Sequence, residues 1–398
     1  MPESWPAIIN TFVLAWALRT SIILRLAYQH RAREREAAHR ECQNLIPRSA
    51  ENQWSISIII PAFNEELSIA RSITSCINQS HTNKEIIVID DGSTDNTHAI
   101  AKRLADDYPK KRIKIISTKC NQGKTNALNI GLSQATGSII VTLDADTQLE
   151  TRDTLTALTQ PIAGNSQATA ATANLRINNQ ATILGRFQVI EYAKIIQTIK
   201  RAQSQANAIL ILPGALSAFR SEPLKGIGGF SKTTLAEDAD VTMALLRKGH
   251  QLALKTSACG LTEVPTSLSS FVKQRIRWRV GQWQCLWKHR AVVKQSKTTC
   301  FFYLDTIITN CMSATTPFFI VITLWQIINR GNWQSLAWAA FGFIAIDALV
   351  TGITASFEKA FRPTINTYMG SILFFATLSP LITWLSVIKL LLKRKIRW

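Results

Sequence analysis

Two carboxylates one residue apart, Asp144 and Asp146, close the stretch GSIIVTLDAD at residues 137–146. The apolar run before them (Ile139, Ile140, Val141, Leu143) reads as a buried parallel strand. Ligands of open α/β sheets bind beyond the carboxyl ends of the strands. Acids there are costly to desolvate unless they meet a cation. The chemistry on offer is a hard ion, Mg²⁺ or Mn²⁺, bound through oxygen, with substrate phosphates completing its shell. Taken alone, the pair also reads as a solvated turn after a strand.

Three further polar groups follow strand-like runs. PAFNEE at 61–66 follows SISIII, DDGSTD at 90–95 closes KEIIVID, and NQGK at 121–124 comes after RIKIIS. One such tip is a turn, whereas four on one sheet edge make a binding crevice. Asp91 is placed to accept hydrogen bonds from a base or ribose. Lys124, at a helix start behind a glycine, suits a phosphate. A P-loop would need glycine at position 118, which is Thr118, and the dinucleotide-binding glycine fingerprint is missing. Well-capped βα turns would leave the same trace.

Further on, Ala236, Glu237 and Asp238 open a helix. Asp238 is then either an N-terminal cap or a general base for an attacking hydroxyl. QRIRW at 274–278 sets guanidinium groups beside an aromatic plane. Arg277 suits a departing diphosphate and Trp278 a sugar face. In isolation these residues read as anchors at the membrane–water interface.

The elements that must position these groups alternate. Strands at 55–61, 84–90, 112–117 and 139–143 are separated by helical patterns at 65–79, 95–107 and 124–135. Such alternation means βαβ units and a mostly parallel sheet. Strands near 168–177 and 209–219 then flank an amphipathic helix over 183–205. A helix over 237–248, a strand near 251–255 and an aromatic, basic helix over 271–287 follow. The expected divisions are an α/β domain at 53–265 and an interfacial region at 266–298.

The chain has 398 residues and a formal net charge of +19. Zinc-finger spacing and RNA-binding aromatic signatures are missing, and many basic residues flank apolar runs, so a membrane surface is the expected partner and nucleic acid is not. Apolar segments at 6–27, 301–328, 333–357 and 367–392 are each long enough to span a bilayer. The first, within an anchor at 1–30, carries Arg19, and a basic stretch at 31–52 follows it. That polarity predicts an uncleaved anchor with its N-terminus outside and a cytoplasmic linker. The region 299–398 holds the other three spans. Four crossings would put the basic tail, 393–398, outside, against the positive-inside rule; Pro380 also leaves room for a kink. Seven cysteines without C-x-x-C spacing predict reduced thiols. Asp305 and Asp347 fall inside the apolar segments, where an acid faces a polar cavity or a partner. At least one of them is expected to line a polymer path or to meet a small membrane subunit; Asp305 also reads as an acid near the headgroups.

In order and rough spacing, PAFNEE, DDGSTD, QGKTNALN, DAD, AED and QRIRW resemble the family 2 glycosyltransferases, inverting enzymes of the GT-A fold. With the flanking helices, the chain looks like the processive synthases. TILGRFQVIEYAKIIQTIKRAQ and LPGALSAFR are most similar to the bacterial poly-β-1,6-N-acetylglucosamine synthases. The resemblance implies an α/β GT-A domain in the inner membrane, with its catalytic face in the cytoplasm, making a biofilm polymer from UDP-GlcNAc. It implies that Asp91 binds uridine with Ala62, Glu65 and Lys124 nearby, that Asp144 contacts the nucleotide and that Asp146 holds the metal. Asp238, beside Glu237, is the implied base. Gln274, Arg277 and Trp278 would hold the acceptor end and departing UDP. A small membrane partner and control by a cyclic dinucleotide are also implied. Two departures stand out: the usual Thr-Glu-Asp triplet has Ala236 first, and one N-terminal anchor is visible where relatives often have two. Related synthases making hyaluronan, chitooligosaccharide or glycolipid, and a non-catalytic membrane scaffold, are the alternatives.

Overall fold

The structure is a computed structural model and describes residues 5–44, 54–163, 167–330 and 333–392. Helix α1 (Trp5–Asn44) leads to strand β1 (Ile56–Ala62). Helices α2 (Ile69–Ile77), α3 (Thr97–Asp107) and α4 (Lys124–Gln134) alternate with β2 (Lys84–Asp90), β3 (Arg112–Ser117) and β4 (Ile139–Leu143). Strands β1, β2 and β4 are buried on nearly every residue, as their unbroken isoleucine and valine runs require. Edge strand β3 alternates outward-facing charge with half-buried isoleucine.

These four strands are parallel, so their carboxyl ends share one edge. The sheet then continues through β5 (Thr147–Leu149), β6 (Ala168–Ile177), β7 (Leu216–Arg220) and β8 (Gln251–Thr262), in the order β3-β2-β1-β4-β7-β6-β8-β5. Strand β7 runs antiparallel to β4 and β6, and β5 antiparallel to β8. The expected strand over 209–219 pairs only from Leu216. Residues 209–215 instead cross the cavity described below. Strand β8 runs beyond the expected 251–255, with a register break against β6 between Ala173 and Asn174.

Helix α5 (Thr154–Thr159) precedes β6, and α6 (Ile183–Lys194) passes through a π-turn (Ile195–Lys200) into α7 (Arg201–Gln205). After α8 (Ser221–Gly226) come α9 (Glu237–Arg247) and α10 (Leu268–Lys288). The chain closes with α11 (Lys297–Arg330), α12 (Trp333–Phe357) and α13 (Ile365–Leu391), at the positions expected for spans. Among the described residues, Thr11–Arg40, Ala340–Phe357 and Ile365–Leu391 are long and apolar enough to cross a membrane. The tail 393–398 lies outside the described residues.

The basic linker at 31–52 is helical as far as Asn44, as a continuation of the anchor. Its path is fixed by Glu34, which accepts from Arg201 at 2.7 Å and from the Thr256 amide at 2.8 Å. Asp305 is bound by Arg19 through two nitrogens, Nη2 at 2.9 Å. That pair also explains how an arginine is carried inside the first apolar segment. Asp347 is likewise paired, with Lys194 at 2.7 Å.

Candidate active site

The carboxyl ends of β1, β2 and β4 and the starts of α4 and α9 open onto one cavity of about 820 Å³. Every residue given a donor, acceptor, metal or catalytic role from the sequence lines it: Ala62, Glu65, Asp91, Lys124, Asp144, Asp146, Glu237, Asp238, Gln274, Arg277 and Trp278.

Asp91 is buried at the tip of β2, where Ala62 O accepts from its amide at 2.8 Å. Its carboxylate accepts from Thr118 Oγ1 at 3.0 Å and from the amides of Gln122 (3.0 Å) and Gly123 (2.7 Å). Gly123 adopts φ +91°, a conformation costly for any side chain, and this turns its amide toward Asp91. A Cβ on Gly92 would lie 2.7 Å from the Cys120 backbone. The two glycines thus let the β2 and β3 tips close on one another, with Asp91 as their brace.

Lys124, the first residue of α4, reaches across to Asp144 at 2.5 Å and to Glu237 at 3.4 Å. Burial disfavours its charge, but Asp144 and Glu237 outweigh that and raise its pKa. Glu237 is buried, and burial together with neighbouring Asp238 raises its pKa against the pull of Lys124. Asp146 accepts from Thr147 Oγ1 at 3.1 Å. Burial, then Asp144 and Glu65, push its pKa up to about 7. A carboxylate crowded by others and offered a single neutral donor is one that a cation would stabilise. Among the described residues no group of three or more metal-type side chains forms a cage. The pair Asp144 and Asp146 therefore fits an ion that takes two protein carboxylates and fills its shell with phosphate and water, as Mg²⁺ does.

Asp238 stands in the first turn of α9, where acids suit the helix dipole. Its Oδ1 accepts from Ala239 N at 2.7 Å and its Oδ2 from Gly214 N at 3.2 Å. Gly214 lies between two charged groups: a Cβ there would sit 3.3 Å from Lys124 Nζ and 3.5 Å from Asp238 Cβ. Sequence reasoning passed over this glycine, although Pro213-Gly214 just before a strand was a signal of close backbone approach.

Helix α10 starts at Ser267, whose hydroxyl caps Ser270 N at 3.2 Å, and carries Gln274, Arg277 and Trp278 to the cavity. Arg275, not singled out before, sets the Trp278 ring: its guanidinium lies 4.2 Å from the ring centroid and donates to Glu191 at 2.5 Å. Lys200, in the π-turn, was also missed, because nothing in an amphipathic pattern marks a π-turn. It lines the cavity and donates to Ile211 O. Burial brings its pKa down to about 8, against the pull of Asp238. Past Trp278 the cavity runs on between α1, α10, α11 and α13, lined by Gln282, Thr306, Asn310, Ser379 and the Arg19–Asp305 pair.

A Mg²⁺-suited acid pair, a basic group at a helix start and a carboxylate on the far wall are gathered at one edge of a largely parallel sheet, an arrangement of the GT-A fold. The comparisons agree. Residues 57–228 match the model of glycosyl transferase family 2. It is 34% identical over 226 residues to a poly-β-1,6-N-acetyl-D-glucosamine synthase of Staphylococcus epidermidis, covering 57% of this chain and 54% of that protein. A synthase of the same name from Staphylococcus aureus is 31% identical over the same share. The chain thus aligns with about half the length of the curated relatives it matches. A mannosyltransferase from Pyrobaculum calidifontis, solved with GDP-mannose and Mn²⁺, shares the fold with a TM-score of 0.57 at 21% identity, covering 94% of this chain and 99% of that one.

Proposed function

We propose that the chain is a membrane-bound, inverting glycosyltransferase that transfers N-acetylglucosamine from UDP-GlcNAc to the growing end of a β-1,6-linked exopolysaccharide. The observation that carries this reading is the meeting, in one cavity, of donor-side groups from β2, β4 and α4 with Asp238 of α9 and Arg277 and Trp278 of α10. The similarity to synthases named for that polymer supports the choice of sugar and linkage.

Uridine sits by Asp91 and Ala62, with Glu65 beside it, and the diphosphate faces Lys124. A divalent cation held by Asp146 and Asp144 would supply positive charge to the diphosphate. Asp238 accepts the proton from the acceptor hydroxyl as that oxygen bonds to the anomeric carbon. The bond to UDP breaks on the opposite face, and Lys124 and Arg277 neutralise the charge that grows on the leaving diphosphate. One base and one displacement give inversion with no covalent intermediate. Trp278 and Gln274 hold the acceptor end. The cavity's continuation past Gln282 and Asn310 provides room for a saccharide already made. The catalytic domain faces the cytoplasm of a bacterial plasma membrane that the chain crosses several times. Asp305 and Asp347 need no small membrane subunit for neutralisation, because Arg19 and Lys194 serve them.

The test supplies isolated membranes with radiolabelled UDP-GlcNAc and Mg²⁺. A labelled product cut by a β-1,6-N-acetylglucosaminidase is expected. Label transferred only from another UDP-sugar, or only to lipid, would replace the polymer reading. No transfer from any UDP-sugar would favour a scaffold.

A further inference from the structure

The loop that carries the candidate base is held from behind, outside the cavity. Asp240, two residues past Asp238, is buried and lines no part of the site. Its carboxylate accepts from Lys288 Nζ at 2.7 and 2.9 Å, from Thr234 Oγ1 at 3.0 Å and from His289 Nε2 at 3.0 Å. Arg247 lies 3.4 Å from His289 Nδ1 and can only donate, which leaves Nε2 to carry the N–H toward Asp240. Burial works against the charge on Asp240, but the hydrogen bonds from His289 and Lys288 outweigh it and hold its pKa below the usual range.

The same ammonium ties the preceding loop. Lys288 Nζ donates to Ser231 Oγ at 3.0 Å and Thr233 Oγ1 at 2.8 Å. One turn back along α10, Gln284 Oε1 accepts from Leu235 N at 2.9 Å. At Gly281 the helix touches the loop directly, since a Cβ there would be 2.7 Å from Ala236 Cβ. Residues 274, 277, 281, 284 and 288 recur at three- and four-residue intervals, so they share one helical face. The first half of that face meets the cavity, and the second half grips the loop that leads into α9 and Asp238.

We infer that Lys288 and Asp240 are positioning residues for glycosyl transfer, locking the start of α9 to α10 so that Asp238 stays in register with Arg277. The inference rests on the proposed transfer reaction. A displacement of about 1 Å in such a register costs on the order of 100-fold in rate.

Lys288→Gln in the full-length protein tests this, because the lysine side chain is 36% exposed and its loss leaves no cavity. With UDP-GlcNAc, turnover is expected to fall roughly 10- to 100-fold while UDP affinity changes by less than about twofold. Lys288→Arg should restore most of the turnover. Hydrogen exchange over residues 234–241 should quicken in Lys288→Gln and not in Lys288→Arg. Asp240→Asn combined with Lys288→Gln should be no slower than the slower single variant. Wild-type turnover in Lys288→Gln, UDP affinity falling in step with rate, or unchanged exchange would each overturn the role. Absence of transfer in the wild type would instead count against the functional reading, and the exchange measurement would still decide the clamp.

Discussion

Carboxylates are served differently in the crevice and in the helices around it. In the crevice Lys124 is shared by Asp144 and Glu237, while Asp146 and Asp238 receive hydrogen bonds only from neutral donors among the described residues. Around it, the acids named next each receive a direct ion pair, although Arg176 serves Glu150 as well as Glu358. Asp305 takes Arg19, Asp347 takes Lys194, and Glu358 takes Arg176 with help from Asn174 and Gln197. A cation beside each acid offsets part of the cost of taking its charge out of water. An excess of acid around one ammonium stabilises nothing by itself. It would also repel a diphosphate, unless a divalent cation entered with it. The imbalance therefore marks the crevice as the place completed by ligand.

The comparison is broken most forcefully at Arg19. Removing one partner of a part-buried pair strands the other, so Arg19→Leu should lower stability, by at most the about 3–5 kcal/mol of a fully buried pair. Adding Asp305→Leu should recover much of that. Thermal unfolding in detergent reads both, and equal losses in the single and double variants would refute a structural pair. In the crevice, Lys124→Met should leave stability near wild type and lower turnover by roughly 10²- to 10³-fold, the range for losing one charge-stabilising donor. A variant that lost stability but kept its rate would invert the assignment.

A smaller effect concerns Glu85, buried at the amino-terminal end of the sheet, far from the crevice edge. Burial raises its pKa, but hydrogen bonds from Ser57, Thr136 and Lys114 outweigh that and bring it from 4.5 to about 2. A depressed carboxylate contributes stability that is complete above its unfolded pKa. The contribution is lost as pH falls from about 4.5 toward 2. Glu85→Gln should flatten that acid limb in a pH series of unfolding and leave turnover unchanged.

The crevice was legible in the sequence because each tip followed an isoleucine-rich strand, and βαβ order alone brings such tips to one edge. The other half resisted for physical reasons. Strand β5 is three residues long and too short to show a period. Strand β8 hides behind a register break, and residues 209–215 are apolar yet must leave the sheet so that Gly214 can meet Asp238. Arg19 looked like a flaw in a span because its partner lies 286 positions away. The clamp of Asp240 by Lys288 joins residues 48 apart, and no local pattern announces such a pair.

The most direct measurement is UDP release from UDP-GlcNAc by membranes bearing the wild-type chain or Asp238→Asn, with Mg²⁺ present. Loss of the general base should slow release by roughly 10²- to 10⁴-fold while UDP still binds. Release by Asp238→Asn at the wild-type rate would contradict the account, because the cavity would then be turning over its donor without the residue on which it is centred.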